Sequence, residues 1–313
     1  MEDLPAGLPD HELRAGLARY GITGRPVYAP VGFGDYHWTV YDRWFTSVSD
    51  LITKPLADLR RAMETAAGLA EQLPFVVAPV RSEDGEVVVP LNERYALSVF
   101  PYVTGRSGSF GDPVHPGVSE LLAALHACEP PEDCPVVPIG VPGRAELTAL
   151  LDEPGEWFST AAREVFVAHA DTVRAKLAEL DELAAGLTDV LVVTHGEPHA
   201  GNVINSPRGL CLVDWDTVGL APPERDHWLV DGDSPFYALR WAMDDVVGFT
   251  EKLRAPHERS RDAELALRYF TETLKGLQSE SVQVSMVPTS AVAASRTRSV
   301  QVPLRVSDDR STV

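Results

Sequence analysis

The spacing of apolar positions divides the chain into a strand-rich beginning and a helical remainder. Apolar stretches at 27–31, 36–40 and 44–48 are short and rich in aromatic or β-branched residues. Gly32, Gly34 and the polar pair Asp42-Arg43 interrupt them, the pattern of neighbouring strands. Pro55 suits a first helical position, and Leu56, Leu59, Met63, Ala67 and Ala70 then recur at helical spacing. Residues 75–79 and 87–91 read as two strands around Asp84-Gly85, and 95–102 as a strand closing the region. Beyond Gly105-Arg106-Ser107-Gly108 the period lengthens. Residues 118–128 carry Leu121, Leu122, Leu125 and His126, while 166–187 repeat Val173, Leu177, Leu180 and Ala184, so both predict amphipathic helices. Segments 231–251 and 262–274 continue the helical part. From about Gln278 no aromatic residue and no sustained period remain, which predicts a poorly packed tail. The expected fold is α+β and two-lobed: residues 1–102 a small β-rich lobe, 103–277 a larger, mainly helical lobe, and 278–313 a tail.

Candidate chemistry concentrates in one loop. Residues 189–194 form an apolar run that ends at His195-Gly196-Glu197-Pro198-His199-Ala200-Gly201-Asn202, where Gly196, Pro198 and Gly201 exclude a regular helix. Segments 203–205 and 210–213, separated by Ser206-Pro207-Arg208-Gly209, read as a hairpin that returns Asp214 to the side of Asn202. Glu197 precedes Asn202 by five residues, the separation of base and metal-binding amide in a kinase catalytic loop. Phosphoryl transfer needs the acceptor oxygen aimed at phosphorus and the nucleotide's charge neutralised. Glu197 would orient and deprotonate the acceptor hydroxyl, and Asn202 and Asp214 would offer hard oxygen ligands to Mg2+. His195 and His199 are four apart, but Gly196 and Pro198 remove the helix that a zinc-protease pair requires. His195 reads as a structural residue holding the loop, and His126 as a core histidine.

These motifs carry a resemblance. Residues 195–202, Val213-Asp214-Trp215-Asp216 and Ala221-Pro222-Pro223-Glu224-Arg225-Asp226 resemble the aminoglycoside phosphotransferase and choline kinase family, and the flanks at 31–38, 97–102 and 263–270 look like its spectinomycin-type members. The resemblance spans most of residues 20–277. It implies a protein-kinase-like fold, a small-molecule kinase using Mg2+ and ATP or GTP, and an aminoglycoside or aminocyclitol hydroxyl as acceptor. Gly32, Phe33 and Gly34 would lie over the phosphates, although Gly-x-Gly is also an ordinary turn. Val99, Phe100 and Tyr102, at the expected hinge, are candidate nucleotide-base contacts or else a plain edge strand. Two departures from the family pattern stand out. Its usual base is Asp, and Glu197 is longer by about 1.5 Å. The strand at 44–48 also lacks the phosphate-binding Lys. Lys54 is the nearest substitute or else a solvated residue at the helix start, and Glu64 stands where a strand Lys would find its partner or is an exposed acid.

Charge alters the picture of partners. Forty-six acids against 27 Lys and Arg give a net charge of −19, which disfavours nucleic acid and draws in cations, though solubility alone also explains it. Asp216, Asp231, Asp233 and Asp244 are candidates for binding acceptor amines, or members of a solvated acidic face. No apolar run approaches a membrane span, the start is not that of a signal peptide, and three cysteines without a Cys-x-x-Cys pair suit a cytosolic protein. Acceptors such as choline, a sugar or an amino-acid alcohol, and a binding protein without turnover, are the alternatives.

Overall fold

The computed structural model describes residues 1–278 except Phe33 and Asp233. The expected tail from 279 onward lies outside the described residues.

An antiparallel sheet builds the first lobe around strand β5. Its members are β1 (Val27–Ala29), β2 (Tyr36–Val40), β3 (Trp44–Asp50), β4 (Val89–Pro90) and β5 (Tyr95–Pro101), in the order β1-β2-β3-β5-β4. Strand β5 does not alternate: its first five residues are all buried, because both faces of the sheet are covered. Helix α1 (Asp10–Ala18) packs Leu13 and Leu17 against Tyr95, Leu97 and Val99. On the other face α2 (Leu56–Gln72) packs Leu59 and Met63 against Val87, Val88 and Ala96. The apolar pattern predicts α2 but passes over α1.

Residues 75–79 and 87–91 do not pair with each other. The Val77 amide donates to Leu212 O at 3.0 Å and the Leu212 amide to Phe75 O at 2.8 Å, so this segment reaches into the second lobe. Val80 and β4 both bond to β5. Pro79, lacking an amide hydrogen, ends the first pairing.

The second lobe begins at β6 (Arg106–Ser107) and α3 (Val118–His126), followed by α4 (Arg144–Asp152), α5 (Thr160–Ala168) and α6 (Ala170–Ala184). The sequence predicts a single helix over 166–187. The structure breaks it at His169, whose ring bonds to Val165 O at 2.8 Å and takes up a carbonyl at the helix end. Then come β7 (Val192–Thr194), a 3-10 turn (Ala200–Asn202), the hairpin β8 (Val203–Ser206) and β9 (Gly209–Leu212), and β10 (Gly219–Ala221). Strand β7 is shorter than the predicted 189–194 because only these residues meet β10. Helices α7 (Glu224–Val230), α8 (Pro235–Arg254) and α9 (Arg261–Gly276) finish the lobe. Helix α8 starts at a Ser234 cap with Pro235 at its first position, four residues later than the apolar pattern suggests. Its buried face joins Phe166, Val173, Leu177, Phe270 and Leu274 in the helical core.

Helix α2 also turns Ala62, Ala66 and Leu69 toward Leu122, Leu125, Leu212 and Trp215 of the second lobe. One helix thus belongs to both cores. Among the described residues no helix is long and apolar enough to cross a membrane.

Candidate active site

The loop after β7 is held from behind by a buried carboxylate on α7. Asp226 accepts the amides of His195 at 3.0 Å and Gly196 at 2.6 Å, and His126 Nε2 lies 2.9 Å from it. Burial alone would raise the pKa of Asp226. The hydrogen bond and charge of His126, with Arg225 nearby, reverse the balance and hold it below the usual range. His126 is therefore more than a core residue: it belongs to the anchor of this loop.

Arg225 adds a second clamp, donating to Thr194 Oγ1 at 2.7 Å and Thr217 O at 2.8 Å. Its guanidinium covers Gly196. A Cβ there would stand 2.2 Å from Nη2, and the backbone has φ of 94°, so glycine is required.

His195 is fully buried. Its Nδ1 accepts the Glu197 amide at 3.2 Å, so the ring hydrogen sits on Nε2 and donates to Val213 O at 2.9 Å. Burial lowers its pKa and keeps it neutral. The ring packs on Trp215 with centroids 4.5 Å apart. His195 acts as a strut.

The hairpin then brings the remaining pieces together. Asn202 Nδ2 donates to Glu197 O at 3.0 Å, and the Val213 amide donates to Asn202 O at 3.0 Å, placing Asp214 next in line beside Asn202. Asp214 holds a left-handed backbone with φ of 68°, costly for a non-glycine residue and typical of a functional site. Burial and the neighbouring Asp216 charge raise the pKa of Asp214 well above its ordinary value and that of Glu197 to about 7. Such crowding of carboxylates favours a cation. Among the described residues no group of three or more His, Cys, Asp or Glu forms a ready metal cage. One carboxylate and one amide oxygen fit Mg2+, which keeps waters and substrate phosphates as its other ligands.

Lys54 enters this site from the turn before α2. Its Nζ donates to Asp35 Oδ1 at 3.0 Å and also bonds to Asp216 Oδ2. Burial would lower its pKa, but Asp216, Asp35 and Asp214 raise it well above the usual lysine value. The side chain is only one-third exposed, so Lys54 is not the solvated residue that a helix start suggests. Asp35, just after the glycine turn, is fixed by Ser47 Oγ at 3.0 Å and Ser49 Oγ at 2.7 Å from β3. Glu64 faces away and pairs with Arg81 at the surface.

Other expected residues are dispersed. Gly32, with φ of 67°, and Gly34, with φ of 118°, form the turn between β1 and β2, while Phe33 lies outside the described residues. The Val99 side chain enters the core beneath α1, Phe100 packs on the α2 side, and Tyr102 is exposed beyond β5. Strand β5 lies between β3 and β4, so it is not the sheet edge. Asp216 sits on Lys54 rather than with Asp244. Asp231 is exposed at the end of α7, and Asp233 lies outside the described residues.

Asp244 lines a cavity of about 220 Å³ together with Glu197, Thr217, Arg225, Arg240 and Trp241. Asp35, Asp226, Arg240 and Trp241 do not stand out in the sequence as site residues. Only Asp226 carried a signal, as the end of the Pro-Pro-Glu-Arg-Asp turn.

Residues 41–279 match the model of the phosphotransferase enzyme family. The chain belongs to that family. It is 28% identical to "Protein StrN" of Streptomyces griseus over 236 residues, covering 64% of this chain and 72% of that protein. Among solved structures, it resembles a spectinomycin phosphotransferase in complex with ADP and spectinomycin, with TM-score 0.64 and 14% identity over 85% of this chain and 97% of the other. It also resembles the gentamicin complex of APH(2")-IIa, with TM-score 0.55 and 15% identity over 90% and 99% of the two chains. At these identities the structures establish the two-lobed, kinase-like fold. The family establishes a small-molecule phosphotransferase.

Proposed function

We propose that the protein transfers the γ-phosphate of ATP or GTP, with Mg2+, to a hydroxyl of a small acceptor of the aminocyclitol or aminoglycoside kind, as a spectinomycin-type kinase would. The observation that carries this reading is Glu197, which shares the carboxylate cluster of Asp214 and Asp216 and also lines the cavity toward α8. A base at that junction can meet an acceptor on one side and a phosphate on the other. Asn202 and Asp214 would hold Mg2+, which supplies charge neutralisation on the phosphates when bound. Lys54 would anchor the phosphates in place of the absent strand lysine, with Asp35 positioning it as the helix glutamate does in other kinases. The amides of Gly32, Phe33 and Gly34 would approach the same phosphates, and the segment containing Val99, Phe100 and Tyr102 would meet the base.

In the reaction the acceptor oxygen forms a bond to the γ-phosphorus as the bond from that phosphorus to the β–γ bridging oxygen breaks. The hydroxyl proton passes to the Glu197 carboxylate and the nucleoside diphosphate leaves with the bridging oxygen. Glu197 must be ionised to take that proton. A pKa near 7 keeps it basic enough to do so at neutral pH.

The reading is tested by measuring ADP or GDP release with Mg2+ against spectinomycin and other hydroxyl acceptors, alongside calorimetric titration of nucleotide. Acceptor-dependent release supports it. Absence of any nucleotide binding at millimolar concentration with Mg2+ would leave a non-catalytic binding protein as the better description.

A further inference from the structure

The 195–202 loop carries a second histidine with no part in the proposed transfer. His199 stands at the start of the 3-10 turn Ala200–Asn202. So short a turn makes few and poorly aligned hydrogen bonds of its own, and the direction of Asn202 has to be fixed from outside. His199 does so twice. Its carbonyl accepts the Asn202 amide at 2.9 Å, and its Nδ1 accepts the Gly201 amide at 3.1 Å. The Asn202 side chain is tied separately, Nδ2 donating to Glu197 O at 3.0 Å. With the amide nitrogen engaged, Oδ1 is the atom left to face a cation.

Asparagine or serine at position 199 would cap the turn equally well, being the commoner residues at such a position. What the imidazole adds is a flat ring, and close neighbours hold that ring in place. Gly201 lies so near that a Cβ on it would stand 2.9 Å from Cε1 and 3.0 Å from Nδ1 of His199. Phe110 meets the ring edge to face, with centroids 4.8 Å apart and planes at 80°. Phe110 is itself fixed. It stacks on Trp241 of α8 at 5.7 Å and 20°, and Trp228 of α7 packs on Trp241 at 5.6 Å. The Gly108 amide, just before it in the chain, donates to Ala200 O at 3.0 Å. The turn that carries Asn202 is thus braced against α8 through two ring contacts.

We propose that His199 is a positioning residue for the metal: buttressed by Phe110, it aims the side-chain oxygen of Asn202 at the cation. The inference rests on the kinase reading, in which Asn202 holds Mg2+, and adds to it a residue outside the ligand set. Groups that orient a metal ligand from behind change metal affinity or activity by about 10- to 100-fold when they are lost. The ring contact with Phe110 contributes the smaller share, since the hydrogen bond to Gly201 survives without it.

The test uses Mn2+, which shares the preference of Mg2+ for oxygen ligands, and follows the water-proton relaxation that it enhances when bound to the protein with ADP, no acceptor being present. Asn202→Ala sets the scale and should weaken Mn2+ binding by about tenfold or more. His199→Ala should weaken it by about tenfold. His199→Asn keeps a capping acceptor without the ring and should recover part of that loss. Phe110→Leu leaves the cap in place but frees the ring, and a loss of about threefold is expected. The Mg2+ concentration for half-maximal turnover should rise in the same order. Mn2+ affinity unchanged in both His199→Ala and Phe110→Leu, with Asn202→Ala weakened, overturns the proposal even if the two variants melt lower, and leaves the kinase reading standing. Mn2+ affinity unchanged in Asn202→Ala removes the metal role of Asn202 and this proposal with it. Should His199→Ala fail to fold, wild-type affinity in both His199→Asn and Phe110→Leu overturns the proposal in its place.

Discussion

Glu197 is a half-buried carboxylate that the proposed reaction asks to be basic. Its burial, reinforced by the charge of Asp216, raises its pKa to about 7. A raised carboxyl pKa means that the folded chain holds the proton more tightly than the unfolded chain. This group therefore withdraws stability as pH rises from about 4.5 to about 7, while the catalysis proposed for the ionised form moves the other way. We expect kcat/KM to climb through pH 7 and that limb to vanish in Glu197→Gln. Glu197→Gln should also melt above the wild type at pH 8 and lose that advantage by pH 5. Its turnover should fall strongly with little change in nucleotide Kd, and Glu197→Asp should retain partial activity because the carboxylate survives but is drawn back. A thermal scan and a pH–rate profile check these together. Asp214→Asn, which removes a full charge from the proposed Mg2+ ligands, should lower transfer by at least about a hundredfold in a protein that still folds; unchanged turnover would exclude the metal role.

Two elements decide whether those side chains meet. The first is α7, which carries Asp226 into the back of the 195–202 loop. Asp226→Ala strands the amides of His195 and Gly196 and leaves His126 unpaired, so a loss of about 3 kcal/mol in urea unfolding is expected. The second is the turn between β3 and α2, which projects Lys54 across the cleft. Lys54→Ala should raise the nucleotide KM about tenfold and affect the acceptor KM much less. Asp35→Asn should act in the same direction but more weakly, since Asp216 still holds the ammonium. If neither variant shifts nucleotide affinity, backbone amides and metal alone anchor the phosphates.

At the scale of the whole molecule, the lobes are joined by more than their connecting chain. Helix α2 contributes to the cores of both lobes, and residues 75–77 pair with β9. A third tie lies at α9, where Asp262 accepts the amides of Glu2 at 3.0 Å and Asp3 at 3.1 Å, while Tyr28 of β1 donates to Asp3 O at 2.6 Å. Through residue 3 the glycine hairpin is tethered to the far lobe. Asp262→Ala should cost about 1 kcal/mol in unfolding and speed amide exchange at Glu2, Asp3 and the hairpin around Gly32, with little effect on exchange in α8. Unchanged exchange at the hairpin would show that the tether does not restrain it.

The amino-acid sequence by itself determined what is local. Glu197, Asn202 and Asp214 lie within 18 residues, so strand, loop and hairpin could be read together with the chemistry proposed for them. Helix α2 and the β2–β3 hairpin follow from periodicity for the same reason. Tertiary structure decided everything whose partner lies far along the chain. Lys54 finds Asp216 at a separation of 162 residues, and nothing near Pro55 distinguishes it from a solvated helix start. His126 reads as an apolar-face residue until Asp226, 100 residues on, is brought beside it. Residues 75–79 read as a strand, but the structure gives them only an isolated bridge from Val76 to Leu212 of β9, because α2 and α3 pack the two lobes at that point. Arg240 and Trp241 are two ordinary residues of an amphipathic helix in sequence. They face a cavity only because α7, α8 and the 195–202 loop enclose it.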